Sequence, residues 1–486
     1  MHARVRPEKV AIRFRDKEIT YQELYRLADA LGSALRRAGI NRDDHVTLML
    51  PNMPEFVISY MAVIGIGAVV TPVNPTYTSR ELRHILCDSD SKALIIEHDN
   101  VGTYEAVARE CPQPTVITAG KEGNFSSWVS DGGDGIIEDR EKDDVAAMIY
   151  SSGLSGYPMG AMLTQGNLDH NSELISKCMG GDDADTALTI IPCFHSFSAS
   201  VNMLSMLRDG GTIYLMKKLD FKELHHAFTD GGVTMINAVP TLFYGLVYHP
   251  DLADIDYTHM KTLIAGGSAL PIEVYNAFKE KFHADIRQGY GLTEASPVCS
   301  VNQKHLPIKP TSIGTTVPGV SVRVEDDEGK ILQPGETGEL LFKGPNVMKG
   351  YYKQEQETGK VITDGWLHTG DLGYMDEDGF IYITGYKKDM VITSGFNVYS
   401  REVVNVLNSL PGVKDSAIIG EPDLMRGAII KAFVVRDDAN LTEDEVKKFA
   451  RKQLAPFKAP RKVEFVPGIP RDEKGKVLVD ILKGAS

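Results

Sequence analysis

Short runs of apolar residues alternate along most of this chain with longer stretches whose apolar positions recur at helical spacing. The runs at 92–97, 145–150, 187–191, 212–216, 233–237 and 262–265 have the near-continuous hydrophobicity of strands covered on both faces. Between them, Thr20-Tyr-Gln-Glu23 and Thr78-Ser-Arg-Glu81 set a hydroxyl three residues before a glutamate, the spacing of a capping box at a helix start. This alternation predicts an α/β domain built on parallel-rich sheets. The longest apolar stretch, 56–70, is broken by Ser59, Gly65 and Gly67 and halted by Pro72. It falls short of the ~18 apolar residues of a membrane span and predicts a buried helix running into a strand.

Beyond about Ser312 the pattern changes. The segment 320–325, then Asp326-Asp-Glu-Gly329 and Ile331, predicts a hairpin, as do 372–375, Asp376-Glu-Asp-Gly379 and 380–384. An antiparallel β region therefore closes a large domain, 1–387. The remainder predicts a small α+β domain, 388–486. Its expected elements are a helix at 401–409, strands at 416–419 and 429–435, a helix opened by Thr442-Glu-Asp-Glu445, a strand at 463–466 and a short last helix.

The length of 486 residues exceeds what one ordinary core needs, which supports this division. With 52 basic and 66 acidic residues the net charge is −14, which argues against nucleic-acid binding through a broad basic surface. Cys87, Cys111, Cys178, Cys193 and Cys299 are scattered, with no Cys-x-x-Cys spacing. Reduced thiols and a cytoplasmic location are expected, and the charged N-terminus does not read as a signal peptide.

Five segments carry candidate chemistry. Ser151-Ser-Gly-Leu-Ser-Gly-Tyr-Pro-Met159 joins two apolar runs with N–H and hydroxyl groups suited to phosphate oxygens, although a polar turn has the same composition. It is not a Walker A loop, because no Gly-Lys-Ser/Thr ends it. Gln288-Gly-Tyr-Gly-Leu-Thr-Glu294 places a hydroxyl and a carboxylate after a glycine-rich turn; beside phosphate, that glutamate is useful only if it holds a cation. Ala265-Gly-Gly-Ser-Ala-Leu-Pro271 would let a flat base approach the backbone, or simply makes a tight connection. Trp366-Leu-His-Thr-Gly-Asp371 offers an acid suited to two ribose hydroxyls, or a turn aspartate. Taken singly, Lys476 in Pro470-Arg-Asp-Glu-Lys-Gly-Lys476 reads as a solvated lysine. Gly65-Ile-Gly67 is no dinucleotide fingerprint, since Val70 occupies the third glycine position.

In their order and spacing these segments resemble the adenylate-forming (AMP-binding) superfamily, from about Pro7 to the C-terminus. The stretches GYGLTEASPV, GETGELLFKGPNVMKGYY, DGWLHTGDLG and KKDMVITSGFNVYSREV are most similar to AMP-forming fatty-acyl- and coumarate-type CoA ligases. The resemblance implies activation of a fatty or other carboxylic acid by ATP, with pyrophosphate release, and transfer of the acyl group to coenzyme A. A carrier-protein thiol as acceptor, or a catalytically weakened nucleotide- or acyl-binding relative, are the alternatives. It further implies that Ser151, Ser152, Gly153, Ser155 and Gly156 hold phosphates. Gly267, Ser268, Ala269 and Tyr290 would border adenine, Gly291 would contact the nucleotide, Thr293 would contact phosphate, Glu294 would bind Mg2+, and Asp371 and Tyr386 would face the ribose. By the same resemblance Lys476 bridges the carboxylate and α-phosphate, Lys388 is the hinge, Gly395 lines the thiol channel and His195 gates the acyl pocket, unless it is a packed core histidine. The aliphatic segment 236–246 is expected to favour medium to long chains. No nucleic acid is implied, and a homodimer is left open.

Three positions depart from the family pattern. Leu154 stands where Thr or Ser is usual, Met159 where Lys is usual, and Tyr386 where Arg is usual. Phe396 and Ser400 replace a common Glu or Tyr and a Pro, with less at stake. A charge-assisted hydrogen bond contributes roughly 1.5–3 kcal/mol, so each lost cation slows adenylation about ten- to a hundred-fold. The expected outcome is a weakened ligase with its essential groups retained.

Overall fold

The computed structural model describes residues 2–152, 158–252, 255–387, 390–423, 425–471 and 477–484, with only the backbone described at 152, 480, 483 and 484. Two units divide the chain, one made of 1–75, 86–151 and 160–387, the other of 76–85, 152–159 and 388–486.

In the first unit the expected strands form two large, mostly parallel sheets. One contains, side by side and parallel, Arg287–Gly291, Thr262–Ala265, Met235–Ala238, Thr186–Thr189, Thr212–Leu215 and Val10–Phe14. Antiparallel strands flank it at both edges. The other carries Val145–Ser152, Val69–Pro72, His45–Met49, Ala93–Glu97 and Thr115–Ala119, again parallel. The inner strands among them, such as Val69–Pro72, Ala93–Glu97, Thr212–Leu215, Met235–Ala238 and Thr262–Ala265, are almost continuously buried, as two covered faces require. The 56–70 stretch divides as expected into the helix Pro54–Gly65 and the strand Val69–Pro72. No helix among the described residues is long and apolar enough to cross a membrane.

The helix Tyr21–Arg37 is capped by Thr20, which accepts from the Glu23 N–H at 3.2 Å. Glu23 then pairs with Arg26, so only half of a capping box forms there. At Thr78 and Glu81 both reciprocal bonds are present.

The antiparallel sheet departs from expectation in one place. Ser321–Glu325 pairs with Gly338–Lys343, and Ile331 contributes only an isolated bridge to Glu325. The Asp-Asp-Glu-Gly turn is therefore the start of a longer excursion. The second hairpin forms as read, with Trp366–Met375 against Ile381–Tyr386.

The second unit contains the hairpin Met390–Thr393/Phe396–Tyr399, the helix Ser400–Asn408, a three-stranded sheet of Val413–Asp423, Gly427–Arg436 and Lys462–Phe465, and the helix Glu443–Gln453 with a complete capping box. Its own core gathers Val403, Leu407, Ile418, Ile430, Val434 and Val446. Within this unit Lys458, 2% exposed, lies 3.0 Å from Glu81 and 2.7 Å from Glu402. Burial opposes its charge, but Glu402, Tyr77 and Glu81 hold the ammonium well above its ordinary range. The whole is a large mixed α/β domain followed by a smaller α+β domain.

Candidate active site

Strands Thr262–Ala265 and Arg287–Gly291 run parallel and end side by side in the first unit. The carboxyl ends of parallel strands are where open α/β sheets offer a crevice to ligands. From these two ends emerge Gly266 to Ala269 and Leu292 to Glu294, two of the segments singled out from sequence. A Cβ at Gly266 would lie 3.1 Å from the Phe197 ring, and one at Gly291 only 2.0 Å from the Pro297 carbonyl oxygen. Gly267 has a φ of +79°, a conformation that glycine adopts without strain. At these strand ends glycine is thus required at position 291 by close backbone approach and favoured at 266 and 267 by the Phe197 ring and by the positive φ.

A cavity of about 640 Å3, counting its mouth, opens beside them. Its wall beside the strand ends includes Gly267, Tyr290 and Gly291, and the apolar residues Leu174, Ile175, Met179, Val201 and Val298 also line it. His195, Ser196 and Phe197 also line it. No Asp, Glu, Lys or Arg lines it among the described residues. The segment 236–246, expected to shape this space, does not: Ile236, Leu242, Phe243 and Leu246 are core residues. The segment spans the strand Met235–Ala238 and the helix Pro240–Tyr248, and burial in a core gives the same apolar pattern as a pocket wall. The helix Leu174–Met179 supplies part of the wall instead.

Glu294, 8% exposed, receives the Ser151 hydroxyl at 2.8 Å and the Tyr351 hydroxyl at 2.7 Å, both on Oε1. No described residue donates to Oε2, which leaves one carboxylate oxygen for a cation. That donor set fits magnesium, which takes few protein carboxylates and keeps water and phosphate ligands. The neighbouring Thr293 hydroxyl lies 3.4 Å from Ser196. Asp371, 6% exposed, accepts from the Tyr290 hydroxyl, and its own N–H donates to Thr369 Oγ1 at 3.0 Å. It is in the middle of the strand Trp366–Met375, not in a turn, and Tyr386 is its cross-strand neighbour. Burial, and then the Asp371 charge, push the Tyr290 phenol well above its ordinary range, so it stays a donor.

His195 accepts the Phe197 N–H at Nδ1, 3.2 Å away, which leaves the proton of the neutral ring on Nε2. Burial lowers its pKa to about 4. Its loop is held by Asn52, a residue that sequence reasoning missed. Asn52, 2% exposed, donates to the carbonyls of Thr189, Ile191 and Met216 at 3.0, 3.1 and 3.2 Å and accepts from the Cys193 N–H at 2.7 Å. The available signal was a lone Asn between Pro51 and Pro54 at a strand end.

Ser151, Gly267, Tyr290, Thr293, Glu294, Asp371 and His195 are thus all in the first unit. Gly395 belongs to the second, where Ser394 and Gly395, with φ of +51° and +82°, form the two-residue turn between the paired Thr393 and Phe396. Gly153, Leu154, Ser155, Gly156, Lys388 and Lys476, and the Ser152 side chain, lie outside the described residues.

A two-domain α/β fold with polar groups converging on glycine-lined strand ends suits an enzyme that binds a nucleotide. Residues 1–352 match the model of the AMP-binding enzymes, and 402–476 that of the AMP-binding enzyme C-terminal domain. The chain belongs to this adenylate-forming family, whose members share ATP-dependent activation of an acid. It is 34% identical to the long-chain-fatty-acid–CoA ligase of Bacillus subtilis (strain 168), over 97% of this chain and 91% of that one. It is 35% identical to a feruloyl-CoA synthase of an Amycolatopsis species, covering 98% and 96%. The solved structure of ATP-bound MatB from Rhodopseudomonas palustris is similar at a TM-score of 0.76 and 32% identity, covering 99% of this chain and 98% of that one.

Proposed function

We propose that this enzyme joins a fatty acid of medium to long chain to coenzyme A through an acyl-adenylate. The observation that carries this reading is the cavity, largely apolar and free of charged lining among the described residues, which meets the glycine-rich strand ends. An aliphatic tail gains roughly 0.8 kcal/mol for each buried CH2 there, whereas a second carboxylate would be buried with no cation beside it. The relatives named for fatty-acid and feruloyl substrates support an apolar acid with coenzyme A as acceptor, and the ATP-bound relative supports the nucleotide.

In this reading Gly267, Ser268, Ala269 and Tyr290 border the adenine, Gly291 contacts the nucleotide, and Asp371 accepts the ribose hydroxyls. Tyr386 replaces a cation with a neutral donor beside them. Ser151 to Gly156 and Thr293 surround the phosphates. Glu294 holds magnesium, which supplies charge neutralisation of the phosphates when bound. Lys476 brings an ammonium between the carboxylate and the α-phosphate, so that two anions can meet in line. The domain boundary falls at Lys388, and Gly395 faces the incoming thiol.

Incubating the protein with ATP, magnesium, coenzyme A and a panel of aliphatic, aromatic and dicarboxylic acids tests this by mass spectrometry. Aliphatic acyl-CoA products are expected; products from dicarboxylic acids alone would overturn the reading. Lys476→Ala is expected to reduce AMP formation at least a hundred-fold. The changes at Leu154, Met159 and Tyr386 favour a second reading, weak turnover, which slow pyrophosphate exchange across the whole panel would support.

A further inference from the structure

Two of the five cysteines, distant in sequence, meet in the first unit. The Sγ of Cys87, in the last turn of the helix Ser79–Ser89, lies 3.6 Å from the Sγ of Cys111. The Cys87 thiol also points at the Glu110 carbonyl, 3.5 Å away, so it is directed onto the short 3-10 turn Ala108–Glu110 that Cys111 ends. A disulfide has its sulfurs about 2.05 Å apart, so closing this one requires an approach of roughly 1.6 Å. Both residues are half-buried and reachable from solvent, whereas Cys178, Cys193 and Cys299 are buried. Burial pushes the thiols of Cys178 and Cys193 up to about 11 and about 12, and that of Cys299 higher still, which keeps all three protonated and inert.

We propose that Cys87 and Cys111 form a reversible dithiol–disulfide pair, closed by a hydroperoxide and reopened by thiol reductants, that adjusts nucleotide binding. The thiolate of one cysteine attacks the peroxide; an S–O bond forms, the O–O bond breaks and hydroxide leaves. The second thiol then attacks the sulfenic sulfur, forming the S–S bond and releasing water. Overall, two thiols and one hydrogen peroxide give one disulfide and two waters.

The route to the nucleotide side is short. Asp88, next to Cys87, accepts the Tyr150 hydroxyl at 2.6 Å, and its carbonyl accepts from Lys353 at 3.0 Å. Tyr150 precedes Ser151, whose hydroxyl is bonded to Glu294. Drawing the helix end toward Cys111 therefore pulls on the residue that leads into the phosphate segment.

The reduced full-length protein should be treated with hydrogen peroxide, alkylated with N-ethylmaleimide, and examined by intact mass and non-reducing peptide mapping. Calorimetric titration with Mg–ATP before oxidation, after oxidation and after dithiothreitol gives the second readout. The expected result is loss of two alkylatable thiols, a peptide joining Cys87 to Cys111, and a shift of about threefold or more in ATP affinity that dithiothreitol reverses. Cys87→Ser and Cys111→Ser should each bind ATP like the reduced parent and be insensitive to peroxide. A different pairing, irreversible oxidation, or a disulfide that leaves ATP affinity unchanged would overturn the proposal. The cross-link is read without any acid substrate, so its failure is separate from failure of the ligase reading.

Discussion

Tyr290 and Asp371 are 81 positions apart and share a partly buried hydrogen bond. Tyr290→Phe keeps the ring beside Gly291 but removes one donor from the Asp371 carboxylate, and should lower stability by about 1–3 kcal/mol, measured as a urea midpoint. Asp371→Ala should do the same and also weaken ATP binding at least tenfold by calorimetry. His195 has a pH signature. In the folded chain its ring takes a proton only near pH 4, whereas an unfolded histidine does so near pH 6.5. Between those values the unfolded state binds more protons, so this stabilisation is complete above about pH 6.5 and is lost as pH falls toward 4. His195→Gln should flatten that fall in denaturation midpoints taken from pH 7.5 to 4.5. Met159, 7% exposed, is a third case. Met159→Lys should raise pyrophosphate exchange about tenfold while lowering the Tm, because the new ammonium must leave water. Glu294 and Asp371 were visible as candidates because several motifs stand in order along the chain. Asn52 and Tyr351 were not, since their roles lie in contacts with Cys193 and Glu294 that no local pattern records.

Among the elements, those defined by their own residues were legible and those defined by partners were less so. Apolar runs gave the parallel strands, and Thr442-Glu-Asp-Glu445 gave a complete capping box. The partner of Ser321–Glu325 was misplaced, because Ile331 follows a good turn while the true partner, Gly338–Lys343, lies further along and is chosen by pairing with Trp366–Met375. Likewise the apolar segment at 236–246 went to the core, since periodicity reports burial and not which neighbour provides it. The two-residue turn at Ser394 and Gly395 makes an element-scale prediction. Gly395→Ala should lower stability by roughly 1 kcal/mol through its positive φ alone, visible as a lower Tm in the absence of any substrate. An unchanged Tm would show that the turn tolerates a side chain.

The whole molecule carries fourteen excess negative charges and belongs to a family that handles polyanions. Screening weakens like-charge repulsion over distances beyond about 8–10 Å. Mg–ATP association, followed by stopped flow, should therefore hold steady or quicken between 20 and 150 mM salt, where a protein with a basic funnel would slow. The two-part architecture was legible at this scale because the change from βα alternation to antiparallel β and then to α+β runs over hundreds of residues.

The uncharged lining of the cavity also bears on the order of events. A lone carboxylate entering there finds a neutral imidazole, a phenol bonded to Asp371 and, among the described lining residues, no cationic side chain. On the proposed reading its residence should be brief until the triphosphate arrives with its counter-ion, and initial-rate kinetics should show nucleotide binding first and acid second.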